Sequence, residues 1–309
     1  MVWWLDGPGR AYAHLLLVPT ASRGDPLTIR TARTRLAALL LAASSLSVAG
    51  GGAAAAQPSS PGGWVESGSA HVNSLTGGQG LASRDDGSLL YRGLGSVPLS
   101  LRTQGWNHIG DPDIARGYVF DAYQGGDTAT AKMFAVTTPG GQRYEYTHPL
   151  DPGEMLNNSF ATVSPDARWL VSGEWGDESR LEVFPAPLLN PATPRTGGTL
   201  RQAGPIALDH TVSDVQGCDF VSPTRLVCSS DDAAKDLLQV DLEHPLDGTA
   251  VTGHVSTLLQ LPRRSICSGA FEAEGLDYDA KAGVLRVEVV PPSVCKVTTT
   301  VYSYRPTTG

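Results

Sequence analysis

The chain has 309 residues, of which 23 are Lys or Arg, 31 are Asp or Glu, 35 are Gly and 22 are Pro. This is an ordinary globular composition with an excess of turn formers, which excludes a disordered or fibrous protein. Residues 57–309 carry 18 basic and 29 acidic groups, a balance of −11. A general nucleic-acid binder is therefore disfavoured, because nothing would offset repulsion by phosphate.

The N-terminal region has the pattern of an export signal. Three arginines precede an apolar run at residues 36–48, and small residues follow as far as Ala56. This order predicts a signal peptide at residues 30–56, cleaved after Ala56, and residues 1–29 are interpreted as an upstream leader from a start site assigned too early. A membrane anchor is the alternative, but a spanning helix needs about 20 apolar residues and this run is shorter. We expect a secreted protein with no membrane span in its mature form.

From residue 57 onward, short alternating or β-branched runs bounded by turn formers recur, and helical periodicity is almost absent. Five units share a small-residue start, a strand, a tight turn and a second strand. The units start at residues 80, 110, 159, 217 and 275. Units of about 40–50 residues with four strands each are typical of propeller blades. The sequence predicts an all-β propeller at residues 75–309, with five blades counted and a sixth allowed by the longer steps; a β-sandwich or irregular all-β domain is the alternative.

The last unit has room for only three strands, at residues 276–278, 284–290 and 299–304. The N-terminal segment at residues 57–74 contains a strand-like run near Trp64 that can supply the missing outer strand. Such closure would remove the exposed sheet edges on which aggregation could start. We therefore predict a ring closed by the N-terminal strand.

Four cysteines lie in the predicted propeller, and an even number in an oxidising compartment indicates two disulfides. Cys218 and Cys228 flank a turn whose midpoint is Pro223, so their side chains can face each other across a hairpin. We predict the pairs Cys218–Cys228 and Cys267–Cys295. A zinc site is the weaker alternative, since the sequence has no Cys-x-x-Cys or Cys/His cluster.

Three segments carry a resemblance to a known group: residues 106–113, the turn at 164–166 followed by 169–173, and residues 274–278. They resemble exported bacterial β-propeller proteins of the broad six-bladed TolB-like group, over roughly residues 75–305. The resemblance implies six blades and a binding or hydrolytic role.

The starts of the innermost strands gather at one mouth of a propeller. By that rule six polar residues form one ring at this mouth, namely Gln79, Asp111, Asp113, Asn158, Gln216 and Glu274. Asn107 and His108 lie beside the predicted ring. Oxygen ligands from several blades suit Ca²⁺, and the Glu274-Gly275 pair resembles the metal-binding Glu of gluconolactonase-like enzymes. The predicted metal ligands are Glu274, Asp111, Asp113 and Asn158. The alternative interpretation assigns ordinary turn and strand hydrogen bonds to Asp111, Asp113, Asp219 and Asp277.

Two functions follow from these residues. The favoured one is a secreted, monomeric, non-catalytic module that binds a small molecule or an extracellular protein or polysaccharide, because no nucleophile–base set and no Gly-x-Ser-x-Gly motif is present. The alternative is a Ca²⁺-dependent lactonase or esterase at the channel mouth, with the ion polarising a carbonyl and His108 as base. Trp106, Trp169 and Trp175 could stack on sugars, although a wedge between sheets is the more common role.

Overall fold

The computed structural model describes residues 63–155 and 160–307. The predicted leader, signal peptide and cleavage site, together with Asn158, lie outside the described residues. In chain order the strands are β1 (Trp64–Asn73), β2 (Gly80–Ser83), β3 (Leu89–Arg92), β4 (His108–Ile109), β5 (Asp113–Ala115), β6 (Tyr118–Gln124), β7 (Ala131–Thr137), β8 (Arg143–Pro149), β9 (Thr162–Val163), β10 (Trp169–Ser172), β11 (Asp177–Pro185), β12 (Gly198–Thr199), β13 (Ile206–Ser213), β14 (Val215–Ser222), β15 (Arg225–Ser230), β16 (Asp236–Leu242), β17 (Val251–Gln260), β18 (Glu272–Asp279), β19 (Val284–Val290) and β20 (Thr298–Pro306). The helical elements are α1 (Leu99–Arg102) and two 3-10 turns at Leu94–Ser96 and Ser293–Val297.

Five strands form the inside of a ring. β2 contacts β5, β5 contacts β9, β9 contacts β14, β14 contacts β18, and β18 returns to contact β2. From each of them antiparallel partners extend outward. The first blade consists of β2 and β3, the second of β4 to β8, the third of β9, β10, β11 and β13, the fourth of β14 to β17, and the fifth of β18, β19, β20 and β1. The chain is an all-β propeller, and its described residues contain five blades, as counted from the sequence. The six blades implied by the TolB-like resemblance are not found in residues 63–155 and 160–307.

The N-terminal strand closes the ring as predicted. β1 pairs antiparallel with β20 over its whole length, from Trp64 opposite Pro306 to Asn73 opposite Thr298. It therefore becomes the fourth strand of the last blade, outside β18, β19 and β20. The backbone groups along the outer side of β20 are paired, so this blade reaches the strand number of its neighbours.

Sequence-local turn chemistry sets the strand register. Between β5 and β6 a two-residue loop, Arg116-Gly117, connects Ala115 to its partner Tyr118. Both loop residues have positive φ, 53° and 77°. A two-residue hairpin of this hand requires that backbone conformation, which a glycine adopts without strain.

The apolar core lies between neighbouring blades. Three clusters join the second blade to the third, the third to the fourth and the fourth to the fifth, and one more packs α1 and its flanking residues on the second blade. Trp169 and Trp106 pack against these clusters, in the wedge role. Trp175 does not share it, since 48% of its surface is exposed.

Both disulfide predictions are confirmed. Cys218 and Cys228 are directly opposed on β14 and β15, and Cys267–Cys295 joins the loop after β17 to the loop after β19. The described residues contain no helix with the length and apolar character needed to cross a bilayer. The two disulfides agree with an extracellular protein.

Candidate functional site

The axis of the propeller is closed by one carboxylate. Asp111 is 1% exposed, and its Oδ1 and Oδ2 accept hydrogen bonds from the backbone N–H groups of Leu81 and Leu276, each at 2.9 Å. These donors belong to the first and last blades, whereas Asp111 belongs to the second. A Cβ atom added to Gly275 would overlap both Asp111 Oδ1 and the Cα of Gly80. The inner strands of the first, second and last blades therefore meet at backbone contact around this side chain.

Three further aspartates fasten adjacent blades. Asp113, Asp219 and Asp277 each accept a hydrogen bond from a backbone N–H on the innermost strand of the next blade. The donors are Val163 at 2.6 Å, Tyr278 at 2.7 Å and Ser83 at 2.6 Å, respectively. Burial raises the pKa of Asp113 to about 6 and raises the pKa values of the other two as well. These contacts match the alternative interpretation, in which the aspartates hold strands together.

The predicted metal ligands and base that the structure describes lie on or beside the strands β4, β5 and β18. Asp113 follows Asp111 by two residues and lies farther from the start of the innermost strands, while Glu274 is at that start and is 9% exposed. His108 is on β4, and burial lowers its pKa to about 4. Within the described residues no hydrogen bond or ion pair joins His108 to either aspartate or to Glu274. Metal binding at this set remains a prediction.

A buried charged network joins the second and third blades. Lys132 is fully buried and its ammonium lies 3.0 Å from Glu154 Oε1 and in contact with Glu182. Glu154 Oε2 lies 2.9 Å from His148 Nε2, and Gln202 donates to Glu182 at 3.0 Å. Burial would raise the pKa of Glu154, but hydrogen bonds from His148 and Glu182 and the charge of Lys132 lower it. Burial and the charge of Glu154 raise the pKa of Glu182 well above its usual value.

This network contains a metal-like triad. In the described ranges one group of three, His148, Asp151 and Glu154, has candidate ligand atoms within 4.8 Å of one another. However, Glu154 Oε2 already accepts the backbone N–H of Asp151 at 2.9 Å, and His148 Nδ1 faces the carbonyl oxygen of Leu200 at 3.0 Å. Both ring nitrogens of His148 thus face oxygen acceptors. The ring therefore already has protein partners at both nitrogens, and Lys132 supplies the cation that faces Glu154.

The loops at the two ends of the ring differ in character. We call the end of the ring at which the innermost strands begin the upper face. Neighbouring strands within a blade run in opposite directions, so the loop between the second and third strands of a blade also lies at the upper face. The connection from one blade to the next lies there as well. Eight large apolar side chains of the described residues are strongly exposed. Seven of them lie on upper-face loops, namely Leu75, Leu99, Met155, Trp175, Ile266, Val294 and Val297, and only Val65 lies near the opposite end. Within residues 63–155 and 160–307, the strongly exposed large apolar side chains are therefore concentrated at the upper face.

Comparisons with known proteins give structural likeness only. No protein-family model and no curated protein sequence matches the chain. Among solved structures, an arabinanase from Bacillus subtilis is 12% identical, covers 79% of this chain and 92% of its own, and has a TM-score of 0.40. A DUF4623 family protein from Bacteroides eggerthii is 9% identical, the match covers 81% of this chain and 77% of that protein, and the TM-score is 0.37. A chain of the mitotic checkpoint complex is 6% identical, the match covers 79% of this chain and 96% of that one, and the TM-score is 0.37. The assignment of a propeller rests on the ring of strands itself.

Sequence reasoning missed the buried charges. Lys132 is the one charged residue of the strand AKMFAVT. A charged residue within an apolar run predicts a buried ion pair or site, because an unpaired buried charge is costly. That signal was available in the sequence, but the partners of Lys132, namely Glu154 and Glu182, come from later segments of the chain.

Proposed function

We propose that this chain is an extracellular, non-catalytic propeller that binds a protein partner through its upper face. The observation that carries the proposal is the concentration of exposed apolar side chains there, seven of the eight in the described residues. Exposed large apolar side chains concentrated on one face of a protein favour a protein interaction site there. Asp111 closes the axis below this face, so a partner would lie across the loops.

The chemistry of the face favours a protein over a polysaccharide. Six of the seven exposed residues are aliphatic or Met, and Trp175 is the single aromatic among them. Sugars are bound by aromatic stacking combined with polar groups, whereas aliphatic anchors fit the apolar side chains of a protein. The disulfide Cys267–Cys295 holds Ile266 and Val294 in neighbouring loops, which lowers the entropy lost when they bind.

Selected peptides test this function. A displayed library of random peptides would be panned against the protein, and the best binders measured against a triple variant, Trp175→Ser, Ile266→Ser and Val294→Ser. We expect at least a tenfold loss of affinity, since interface anchors commonly contribute about 1–2 kcal/mol each. The matched control, Val65→Ser, removes an apolar side chain that is 53% exposed away from the upper face and should leave affinity unchanged.

Three results would count against the proposal. Peptides that bind the triple variant as tightly as the wild type would place the binding surface elsewhere. Concentration-dependent dimerisation abolished by the triple variant would identify a second copy as the occupant. Hydrolysis of lactone or ester test substrates at enzyme-like rates, lost in His108→Ala, would favour the alternative Ca²⁺-dependent hydrolase.

A further inference from the structure

Lys132 on β7 is a buried amine that faces two buried acids. Its Nζ contacts Oε2 of Glu182 on β11 and lies 3.0 Å from Oε1 of Glu154. The side chains of all three residues are 0% exposed. One ammonium offsets the charge of only one carboxylate, so the protonation of the two acids decides what this group of side chains can do.

The two acids differ in protonation. Burial raises the pKa of Glu182 well above its usual value; the charge of Lys132 offsets this only in part, and Glu154 raises it further. Burial acts on Glu154 in the same direction, but hydrogen bonds from His148 and Glu182 and the charge of Lys132 outweigh it and lower the pKa of Glu154. The site therefore holds an amine, a protonated carboxylic acid and a carboxylate.

The site adjoins the apolar packing between the second and third blades. Phe134 lies two residues after Lys132 on β7, and therefore on the same face of its sheet. Phe184 stands in the same relation to Glu182 on β11. The ring centroids of the two phenylalanines are 5.2 Å apart, and that of Phe184 is 4.9 Å from the ring of His148. Such surroundings exclude bulk water and disfavour separate charges.

Gln202 holds the second oxygen of the protonated acid. Its Nε2 donates to Glu182 Oε1 at 3.0 Å, while Glu182 Oε2 faces the amine of Lys132. A donor at a carbonyl oxygen stabilises the negative charge that develops there when a nucleophile attacks the carbon. Glu154 Oε1, 3.0 Å from Lys132 Nζ, is within reach of a proton on that nitrogen. Reacting groups held in this way behave as if present at about 10⁵–10⁸ M.

We propose that Lys132 and Glu182 condense to an intramolecular isopeptide bond, with Glu154 as the proton acceptor. The ion pair is the arrangement from which the bond forms: Lys132 Nζ passes a proton to Glu154 Oε1, and the free amine attacks the side-chain carboxyl carbon of Glu182. A C–N bond forms as the bond from that carbon to Oε2 breaks, and Oε2 leaves as water with its own proton and one from the nitrogen. One proton stays on the amide nitrogen and one on Glu154, so atoms and charges balance without an oxidant or a reductant.

The bond would join a part of the ring that the disulfides do not reach. Lys132 belongs to the second blade and Glu182 to the third, 50 positions later. Cys218–Cys228 lies within the fourth blade, and Cys267–Cys295 joins a loop of the fourth blade to a loop of the fifth. Thiol exchange breaks disulfides but not amides, so this link would hold two blades together in reducing surroundings as well.

The intact mass of the reduced, denatured protein tests the bond once its N-terminus has been determined. We expect wild-type chains to be lighter than their sequence by one water, about 18 Da. Trypsin should release a branched peptide that joins residues 117–143 to residues 181–195, because it does not cut after a modified Lys132. Lys132→Met removes the amine and should have the full mass. The matched control Lys235→Met alters a lysine of the fourth blade that is 7% exposed and should keep the loss.

Glu154→Gln removes the proton acceptor and should slow the loss of water at least tenfold, since a general base commonly contributes about 10²–10⁴-fold; an unchanged rate would overturn the role of Glu154.

The proposal is overturned if folded wild-type protein keeps its full mass, or if the lost water maps to residues other than Lys132 and Glu182. Should Lys132→Met fail to fold, the branched peptide of the wild type decides. Lys132→Met removes the ion pair and the bond together, so mass rather than stability separates the two. None of these outcomes depends on a protein partner at the upper face.

Discussion

Replacing Lys132 by methionine should destabilise the propeller strongly. Methionine keeps most of the buried side-chain volume but removes the ammonium that contacts Glu154 Oε1 at 3.0 Å and the carbonyl oxygen of Gly173 at 3.2 Å. The variant would leave the buried carboxylate of Glu154, whose pKa the network lowers, without the ammonium that faces it. Breaking a buried ion pair by removing one partner costs about 3–5 kcal/mol.

For a domain of this size, that loss lowers the Tm by about 6–20 °C. Urea denaturation followed by tryptophan fluorescence and far-UV circular dichroism would give the free energy of unfolding. The double variant Lys132→Met with Glu154→Gln removes both charges, so it should be more stable than the single variant by about 1–3 kcal/mol. A Lys132→Met protein within about 1 kcal/mol of the wild type, with no coupling in the double variant, would refute the assignment of this network as a structural ion pair.

Three further predictions use other contacts. Gly275→Ala should lower the free energy of unfolding by more than about 3 kcal/mol in the same assay, because the added Cβ would overlap the Gly80 backbone. Gly68→Ala, which has open space around it, should be tolerated. Equal effects of the two substitutions would contradict the close approach of the strands at the axis. Burial raises the pKa of Glu178 to about 8, so the folded state holds a proton that the unfolded state releases above pH 4.5. The free energy of unfolding should therefore fall between about pH 4.5 and pH 8 through this group. Glu178→Gln should flatten that decline, and a pH profile identical to that of the wild type would rule the effect out. Cys267 and Cys295 are 28 residues apart. Replacing both by serine should lower the free energy of unfolding by about 3.5 kcal/mol, because the disulfide restricts the unfolded chain. A loss below about 1 kcal/mol would show that this link restricts the unfolded chain little.

The repeat of short strands and the turn chemistry predicted much of the fold. Alternation with period two identifies strands. Three of the innermost strands carry a glycine where backbones meet, namely Gly80, Gly217 and Gly275. The closing strand followed from counting: three strands after residue 275 leave one place open, and β1 fills it. The hairpin pair Cys218–Cys228 followed from its spacing around a turn.

The candidate site could be predicted only in part. The sequence placed Asp111 and Asp113 with Glu274 among the predicted metal ligands, and metal binding by this set stays a prediction. In the structure both aspartates use their carboxylates for backbone N–H donors on other blades. A strand sequence shows that a carboxylate is buried, but it does not show which backbone segment will face it.

By itself the sequence determined the all-β class, the number of repeating units, the closure by the N-terminal strand and the sulfur pairing, since these depend on local periodicity, spacing and strand count. Only the tertiary structure decided which groups meet: the Leu276 N–H that donates to Asp111 is 165 positions away, and the Ser83 N–H that donates to Asp277 is 194 positions away. Contacts between remote segments depend on the curvature that packing imposes on all five blades together. Local patterns do not encode that curvature residue by residue.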